Sequence, residues 1–405
     1  MKQTLTLKVK ILPTEEQITL LKETQQQYIK ACQYVSNYIF NNDFILEQQA
    51  IHDNLYFDIK DSFSLPAQLS QSVMRTVISN YKTIQTQLKK KPYVYKDNNN
   101  KKQKIYKDLN RLYYPLKYKS PFFVLVRDRS YSFKKDNIVS LSTLNGRINV
   151  PYVWIDNNYF NKFKEDFSFG ECKVLEIDNK WYVHFSVSRD IEEPKEQFTH
   201  VVGVDRGLRN ILTTYDEKGH TEFYSGKRVL AKRRKYKKLR KKLQEVNTLS
   251  SKRKIRKIGQ KENRWMIDIN HNLSKALIDK YGSNTLFVLE DLENVTFNTV
   301  KNRKKNDRYE HYSWAFYQFE QFLIYKAISV GSTVITVDSY YTSQRCPKCG
   351  AIDKSNRHRD THSYRCKSCG YESNDDKIAA MNIQLLGTYY VSGEKNPKFE
   401  KQILN

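Results

Sequence analysis

Two Cys-x-x-Cys pairs near the C-terminal end constrain the fold of this chain more than any other feature. Cys346 and Cys349 form the first pair, and Cys366 and Cys369 form the second, with sixteen residues between the pairs. Each pair turns two thiolates toward one point, and the glycine after each pair permits the tight turn that this requires. The spacing therefore predicts a closed, tetrahedral four-thiolate Zn²⁺ site of the structural kind.

Disulfides or unrelated thiols are the alternative to a zinc site. The other two cysteines, Cys32 and Cys172, lie in apolar-patterned segments, which predicts buried free thiols. His358 and His362 lie between the two pairs and could replace a ligand, although four cysteines already complete the shell. Thiols arranged for a metal rather than for disulfides predict a reducing, cytoplasmic location.

The charge of the chain predicts a polyanionic partner. Its 405 residues contain 70 Lys and Arg against 44 Asp and Glu, a net charge of +26. Residues 227–264 hold eighteen of the basic residues and only two acids, Glu245 and Glu262. Apolar residues in this tract keep helical spacing, which predicts two long helices with one strongly cationic side. A merely solvated face would mix the two signs, so nucleic-acid contact is favoured. The candidate contact residues are Lys232, Arg233, Arg234, Lys235, Lys238, Arg240, Lys241, Lys252, Arg253 and Arg256.

Hydropathy predicts no membrane partner. The sequence has no run of 18 apolar residues. Its first thirteen residues alternate between polar and apolar side chains and lack the apolar core of a signal peptide.

Patterning in the N-terminal half predicts a β barrel with a helical insertion. Thr4–Leu12 alternates as a strand, and Thr14 with Gln17 has the form of a capping box that opens a helix. A second helix is expected from Pro66. Short apolar runs separated by turn residues then follow from 122 to 188, as is typical of a small antiparallel barrel. We expect the first strand to join this barrel.

Three acids occupy positions where a carboxylate is costly. Asp205 and Glu290 each end an apolar run that reads as a buried strand, and Asp376 opens the last predicted helix. Three carboxylates that met in one place would repel one another unless divalent cations neutralised them. Two Mg²⁺ ions about 4 Å apart could then activate a water and stabilise the leaving oxygen of a phosphodiester. The alternative is that each acid meets a local Arg or Lys, such as Arg206 beside Asp205.

The order of these motifs resembles the TnpB (OrfB) proteins of bacterial insertion sequences, which are relatives of the compact type V CRISPR effectors. The matching segments are Gly203-Val204-Asp205-Arg206-Gly207, Leu289-Glu290-Asp291-Leu292, residues 341–350, Cys369-Gly370-Tyr371-Glu372 and Ala379-Ala380-Met381-Asn382-Ile383. Together they span the C-terminal half in the order that the family shows. The N-terminal half resembles the family more loosely, through Leu12-Pro13-Thr14 and residues 142–147.

The resemblance implies that Asp205, Glu290 and Asp376 are the catalytic acids and the Mg²⁺ ligands. The third motif of the family usually reads Asp, a variable residue, then Asn-Ala-Ala, and this chain has Ile378 where the Asn is usual. Counting back from Ala379 places the third acid at Asp376. The other candidates are Asp291, Asp338 and Asp375.

The resemblance also implies an α/β multidomain fold. It would comprise an RNase H-like (RuvC) nuclease domain with an inserted helical hairpin and a zinc ribbon, plus an N-terminal antiparallel β barrel that carries an inserted helical domain. The expected bounds are 1–13 for the first barrel strand, 14–118 for the helical recognition domain, 119–195 for the rest of the barrel, 196–340 for the nuclease domain with its hairpin at 226–281, 341–370 for the zinc ribbon, 371–390 for the end of the nuclease domain and 391–405 for a tail.

The implied function is that of a Mg²⁺-dependent, RNA-guided DNA endonuclease. Such a protein binds a guide RNA from the transposon end and cuts double-stranded target DNA, with base pairing supplying the sequence specificity. Three other functions stay open: a nuclease-inactive RNA-guided DNA-binding regulator, a DNA-binding transposase accessory factor, and a compact type V CRISPR effector. Loss of an acid would be expected of the inactive regulator, and all three acids are present.

Overall fold

The computed structural model describes residues 1–90, 92–97, 101–154, 163, 165–193, 197–292, 316–358 and 360–400. The chain divides into two compact units, 2–190 and 191–405, and Met1 is grouped with the second. The boundary expected between 195 and 196 falls among residues 194–196, which lie outside the described residues.

The first unit is built on a seven-stranded antiparallel sheet of barrel-like, nearly closed form, with the strand order β4-β8-β9-β1-β7-β6-β5. The strands of this unit are β1 (Lys2–Ile11), β2 (Tyr93–Lys96), β3 (Lys102–Ile105), β4 (Phe122–Leu125), β5 (Tyr131–Lys134), β6 (Ile138–Thr143), β7 (Gly146–Val153), β8 (Ser168–Ile177) and β9 (Lys180–Asp190). β1 pairs along its whole length with β9, and Leu7, Val9 and Ile11 are buried in alternation. The expected barrel and the place of the first strand in it are confirmed.

Three helices lie in the chain between β1 and the rest of this sheet: α1 (Glu15–Asn41), α2 (Gln48–Ser62) and α3 (Ala67–Lys90). The capping box at Thr14 is present, since Gln17 N donates to Thr14 Oγ1 and Thr14 N donates to Gln17 Oε1. The sequence pattern missed α2. Its buried stripe is a thin row, Ile51, Leu55 and Ile59, and its first residue is preceded by Glu47, which makes no side-chain cap.

The second unit contains a mixed sheet with the strand order β12-β11-β10-β13-β14. Its strands are β10 (His200–Arg206), β11 (Asn210–Tyr215), β12 (Thr221–Ser225), β13 (Thr285–Glu290) and β14 (Thr333–Val337). β10, β13 and β14 run parallel, and β11 and β12 are antiparallel additions. The pattern missed β12 because it is largely exposed and shows no alternation of buried residues.

Helices cover both faces of this sheet, which confirms an α/β fold. The helices of the second unit are α4 (Lys227–Val246), α5 (Leu249–Tyr281), α6 (Phe316–Ser329) and α7 (Asp375–Val391). Leu277 of α5 and Phe319 of α6 join the core on one face. Ile383 and Leu386 of α7 join the core on the other. α4 and α5 form the helical hairpin that the basic tract predicts, with the break at 247–248.

A small three-stranded sheet accompanies the four cysteines. It consists of β15 (Arg357–His358), β16 (Ser363–Arg365) and β17 (Glu372–Asn374), the last of which leads directly into α7. Within the described part of the chain, no helix is both long enough and apolar enough to cross a bilayer.

Candidate functional site

The register of two parallel strands brings Asp205 and Glu290 together. Val204 of β10 pairs with Leu289 of β13, so the next residues along, Asp205 and Glu290, end neighbouring strands side by side. Residues two apart on a strand share a face, so Asp205 projects from the same face as Gly203. This is the face that α7 covers.

Two glycines let α7 lie directly on the sheet. A Cβ at Gly203 would come within 2.2 Å of the carbonyl oxygen of Ala380 and 2.4 Å of the backbone nitrogen of Gln384. A Cβ at Gly387 would come within 2.4 Å of Cγ2 of Val288. These distances are far shorter than van der Waals contact. The helix can therefore bring its N-terminus, with Asp375 and Asp376, to the ends of the strands.

The start of α7 is fixed by a side-chain cap. Asn374 accepts hydrogen bonds from the backbone N–H groups of Asp376 at 3.0 Å and Lys377 at 3.2 Å. Asp375 and Asp376 thus lie in the first turn, where the helix dipole favours negative charge.

All three predicted catalytic acids line one cavity of about 1490 Å³. Asp375, Asp291 and Asp338, the other candidates, line it as well. The structure therefore brings together Asp205, Glu290 and Asp376, although they are separated by many residues in the chain.

Burial and mutual repulsion disfavour the charged forms of these acids. Burial raises the pKa of Asp205 well above its ordinary value, and the neighbouring Glu290 and Asp376 raise it further. Burial also raises the pKa of Glu290 and that of Asp376, and in Asp376 the adjacent Asp375 adds to the effect. A divalent cation would relieve this repulsion, and a set of carboxylate oxygens fits a hard cation such as Mg²⁺.

A second group of metal-binding side chains adjoins the first. One ligand atom from each of His362, Asp375 and Asp376 lies within 4.8 Å of the others. Asp375 is fully buried, and its Oδ2 accepts a hydrogen bond from Nε of Arg357 at 2.9 Å. Its Oδ1 lies 3.5 Å from Nδ1 of His362, and neither of these buried atoms makes a hydrogen bond to a residue that the structure describes. The sequence pattern singled out His362 only as a substitute zinc ligand, and it gave no signal for Arg357.

Arg206 does not neutralise Asp205. Adjacent residues on a strand project to opposite faces, and Arg206 pairs with Glu320 on α6 at 2.8 Å. It also donates from Nη2 to the backbone oxygen of Glu290. The ion pair between Arg206 and Asp205 that the sequence left open is therefore not formed. Arg206 instead holds the end of β13.

Polar side chains outside the predicted set hold the acids in place. Thr342 donates from Oγ1 to Oε1 of Glu290, and Asn210 donates from Nδ2 to Oδ2 of Asp376 at 2.8 Å. The buried Asn382 of α7 donates to the backbone oxygens of Thr342 at 2.7 Å and Arg345 at 2.8 Å. These bonds fix the segment 341–345 beside the cavity. Asn382 lies in the last family motif, which was the available signal for it.

The four cysteines converge as the spacing predicts. One Sγ atom from each lies within 4.8 Å of the others, and two pairs, Cys346 with Cys369 and Cys349 with Cys366, are 3.6 Å apart. Tetrahedral ligands with Zn–S bonds of about 2.3 Å would lie about 3.8 Å apart. The cluster could therefore bind zinc.

The backbone around the cysteines favours this arrangement. Gly350 and Gly370 adopt positive φ values of 78° and 71°, and each closes its turn with a hydrogen bond to the first cysteine of its pair. Burial acts to raise the pKa of Cys366, but hydrogen bonds from the backbone of Cys369 and Ser368 lower it to about 7. A lowered pKa favours the thiolate, which is the form that binds metal.

Ile378, which departs from the family motif, packs against this cysteine cluster. It is fully buried and belongs to the same apolar cluster as Cys346, Tyr364 and Cys366. The residue therefore joins α7 to the cysteine-bearing segment.

Two family models match the chain. The OrfB_IS605 family, described as "Probable transposase", matches residues 184–296, and the family described as "Cas12f1-like, TNB domain" matches residues 316–383. The TnpB-like protein MJ0751 of Methanocaldococcus jannaschii is 28% identical over 268 residues, which cover 62% of this chain and 91% of that protein. The chain is thus similar to TnpB-like proteins.

The chain is also similar to CRISPR-associated proteins. The CRISPR-associated endodeoxyribonuclease Cas12f1 of Sulfoacidibacillus thermotolerans is 40% identical over 119 residues, which cover 29% of this chain. The match spans only about a quarter of these relatives, since it covers 26% of this Cas12f1 protein and 26% of a second one. In a solved structure of a Cas12f1–sgRNA–target DNA complex, the matched chain superposes with a TM-score of 0.58 at 12% identity, covering 95% of this chain and 99% of that chain. This likeness shows a shared fold.

The helical hairpin of α4 and α5 places the candidate nucleic-acid contacts in two environments. Arg233 is buried and Arg240 is partly buried, and both pair with Glu262. The other eight, which are exposed, are Lys232, Arg234, Lys235, Lys238, Lys241, Lys252, Arg253 and Arg256. Lys232 also lies over the ring of Trp265 at 4.1 Å. The exposed set is strongly cationic, and the two inward arginines hold the helices together.

Proposed function

We propose that this chain is a TnpB-type, transposon-associated, RNA-guided DNA endonuclease that hydrolyses phosphodiester bonds at a RuvC-like site. The observation that carries the proposal is the meeting of Asp205, Glu290 and Asp376 in one cavity at the ends of parallel strands. A strand Asp, a second strand Glu and a third acid at a helix start form the arrangement of RNase H-like nucleases. The names of the TnpB-like and Cas12f1 relatives support the same activity.

In the proposed site, Asp205, whose carboxyl interacts with both Glu290 and Asp376, would be the common metal ligand, and Glu290 and Asp376 would each help to hold one ion. When bound, two Mg²⁺ ions would activate the attacking water and stabilise the leaving oxygen. The hydrogen bonds from Thr342 and Asn210 keep Glu290 and Asp376 oriented before substrate arrives. No nucleophile from the protein is required.

The four cysteines would hold a structural zinc ion. Four thiolates leave no open position for a substrate, so the metal would stabilise the segment that carries Thr342 and Arg357 rather than take part in hydrolysis. We propose that this zinc-binding element spans residues 341–370, as the sequence predicts.

The proposed partners are a guide RNA from the transposon end and double-stranded target DNA. The exposed cations of α4 and α5 would neutralise phosphates along the RNA–DNA hybrid. The helical part, 14–118, and the barrel, 119–195, would hold the hybrid and the guide, and 196–340 with 371–390 would form the nuclease domain. Arg233 and Arg240 are left out of the proposed contact set because they pair with Glu262.

The direct test measures cleavage of plasmid DNA by the protein with its co-purified RNA in Mg²⁺ buffer. Asp205→Asn should lower the rate by about 1000-fold or more, since the loss of a metal ligand removes several kcal/mol of transition-state stabilisation. RNA-dependent DNA binding should stay close to that of the unsubstituted protein. The matched control is Asp136→Asn, an exposed acid in the β5–β6 turn whose φ of 58° also suits Asn. Cleavage by Asp205→Asn at the control rate would overturn the site.

A compact CRISPR effector is the second candidate, because the 40% identity to a Cas12f1 relative favours it. Sequencing the RNA that co-purifies with the protein separates the two. RNA from a transposon end supports the TnpB function, and RNA carrying a CRISPR repeat supports the effector. Heterogeneous RNA without a fixed segment would contradict both.

A further inference from the structure

The hairpin of β2 and β3 in the first unit has an aromatic face with no partner strand. Among the described strands, β2 and β3 pair with each other alone. Tyr93 lies opposite Ile105, and Tyr95 lies opposite Gln103. Directly opposed residues project to the same side, so Tyr93, Tyr95 and Ile105 share one face. Their exposed fractions are 59%, 42% and 49%.

The same hairpin is cationic on its other face and in its surroundings. Val94 lies opposite Lys104, and Lys96 shares their face; both lysines are exposed. Residues 89–119 contain eleven Lys and Arg against two acids. One of those acids, Asp97, is engaged in the turn, where it accepts hydrogen bonds from the backbone of Lys101 at 2.8 Å and from Nε2 of Gln103 at 2.9 Å.

Exposed tyrosines amid excess lysine fit one class of ligand. An isolated two-stranded hairpin is at best marginally stable in water. Aromatic side chains exposed on such a hairpin lower its stability further unless a partner covers them. The excess of positive charge favours a polyanion over an apolar protein surface. Unpaired bases offer flat faces to aromatic rings while their phosphates meet lysines, whereas a duplex keeps its base faces stacked inside.

We propose that the paired strands β2 and β3 form a stacking site for the unpaired bases of a single-stranded nucleic acid. Tyr93 and Tyr95 supply the stacking surfaces on one face, and the excess of positive charge in residues 89–119 attracts the phosphates. The inference goes beyond the proposed nuclease activity, because it concerns a surface on the first unit and needs neither metal nor cleavage.

The test measures binding of short fluorescent oligonucleotides to the full chain, freed of co-purified nucleic acid and kept without Mg²⁺ at one salt concentration. The variant Tyr93→Ala with Tyr95→Ala should bind a single-stranded ten-nucleotide probe at least tenfold more weakly, because stacking of one base contributes about 1–3 kcal/mol. RNA and DNA probes form separate arms that show which strand the site prefers. A duplex probe of equal length should bind both proteins equally.

Two controls separate stacking from a loss of fold. Phe223→Ala removes an aromatic side chain that is 47% exposed on β12 of the second unit, and it should leave single-strand binding unchanged. Tyr93→Phe with Tyr95→Phe keeps the rings and should retain most of the affinity. Unchanged single-strand binding by the alanine variant, or an equal loss for the duplex probe, would overturn the proposal. Either result leaves the cleavage test of Asp205→Asn unaffected, since that test uses a separate readout.

Discussion

Single residues of the acid cluster lower the stability of the metal-free protein. The folded state raises the pKa of Asp205, so it holds the proton of this carboxyl more tightly than the unfolded chain does. Stability therefore falls as the pH rises above the unfolded pKa of about 4 and through the raised folded pKa. A bound cation would reverse this effect, because it binds the folded state.

Asp205→Asn should consequently stabilise the metal-free protein. At pH 8 we expect the melting temperature of the second unit to rise by about 2 °C or more, because a buried like charge is removed. The gain should shrink as the pH falls, because the raised pKa of Asp205 lets the folded protein take up the proton more readily than the unfolded chain does. Added Mg²⁺ should raise the melting temperature of the original protein more than that of the variant. Thermal scans over pH check this, and a variant that is less stable than the original at pH 8 would contradict it.

At the scale of elements, the contact between α7 and β10 determines whether the acids meet. Gly203→Ala would place a methyl group 2.2 Å from the carbonyl of Ala380, so the helix must move away from the strand. Because Asp376 moves with the helix, we expect cleavage to fall by about 100-fold. Gly259→Ala in α5 is the matched control, since nothing lies within 4 Å of the added atom. The control should keep its cleavage rate, and its free energy of unfolding should rise by about 1 kcal/mol because alanine has the higher helix propensity. Equal cleavage rates for the two variants would contradict the role of this helix–strand contact.

The helical hairpin offers a second comparison between matched acids. Glu262 is 7% exposed and pairs with Arg233 and Arg240, whereas Glu245 is 64% exposed and lies 4.0 Å from Lys241. Glu262→Gln removes the buried negative charge with which Arg233 and Arg240 pair, and it should destabilise the hairpin by about 3 kcal/mol. Glu245→Gln should change stability by less than about 1 kcal/mol. Hydrogen exchange across 227–281 measures both, and similar protection in the two variants would contradict the assigned role of Glu262.

At the scale of the whole molecule, the chain consists of two units with separate cores, and the cysteine cluster belongs to the second. Chelation of zinc should therefore lower the melting temperature of the unit 191–405 and leave that of 2–190 unchanged. Cys349→Ser should lower the same transition and make it insensitive to the chelator. Calorimetry, with hydrogen exchange to assign each transition, checks this expectation. A second unit that melts at the same temperature with and without chelator would exclude a structural zinc.

Local patterns in the sequence were enough for features whose parts are close in the chain. The cysteine spacing predicted the cluster, Thr14 and Gln17 predicted the first helix start, and alternation predicted the strands of the barrel. Where the pattern was weak, as in α2 and β12, the elements were missed, because a thin apolar stripe or an exposed strand has little periodicity. The roles of Asp205, Glu290 and Asp376 came from a family resemblance and remain predictions.

The sequence by itself determined the local geometry of the cysteine turns and helix starts, because hydrogen bonds and backbone conformations within a few residues are fixed by residue type. Only the tertiary structure decided that Asp205 lies beside Glu290 and not beside the side chain of Arg206. It also decided that Asp375 lies next to Arg357 and His362, and that Arg233 is buried against Glu262. Each of these contacts joins residues that are distant in the chain or on opposite faces of a strand. They depend on strand register and on how closely a helix can approach a sheet, which no short segment encodes.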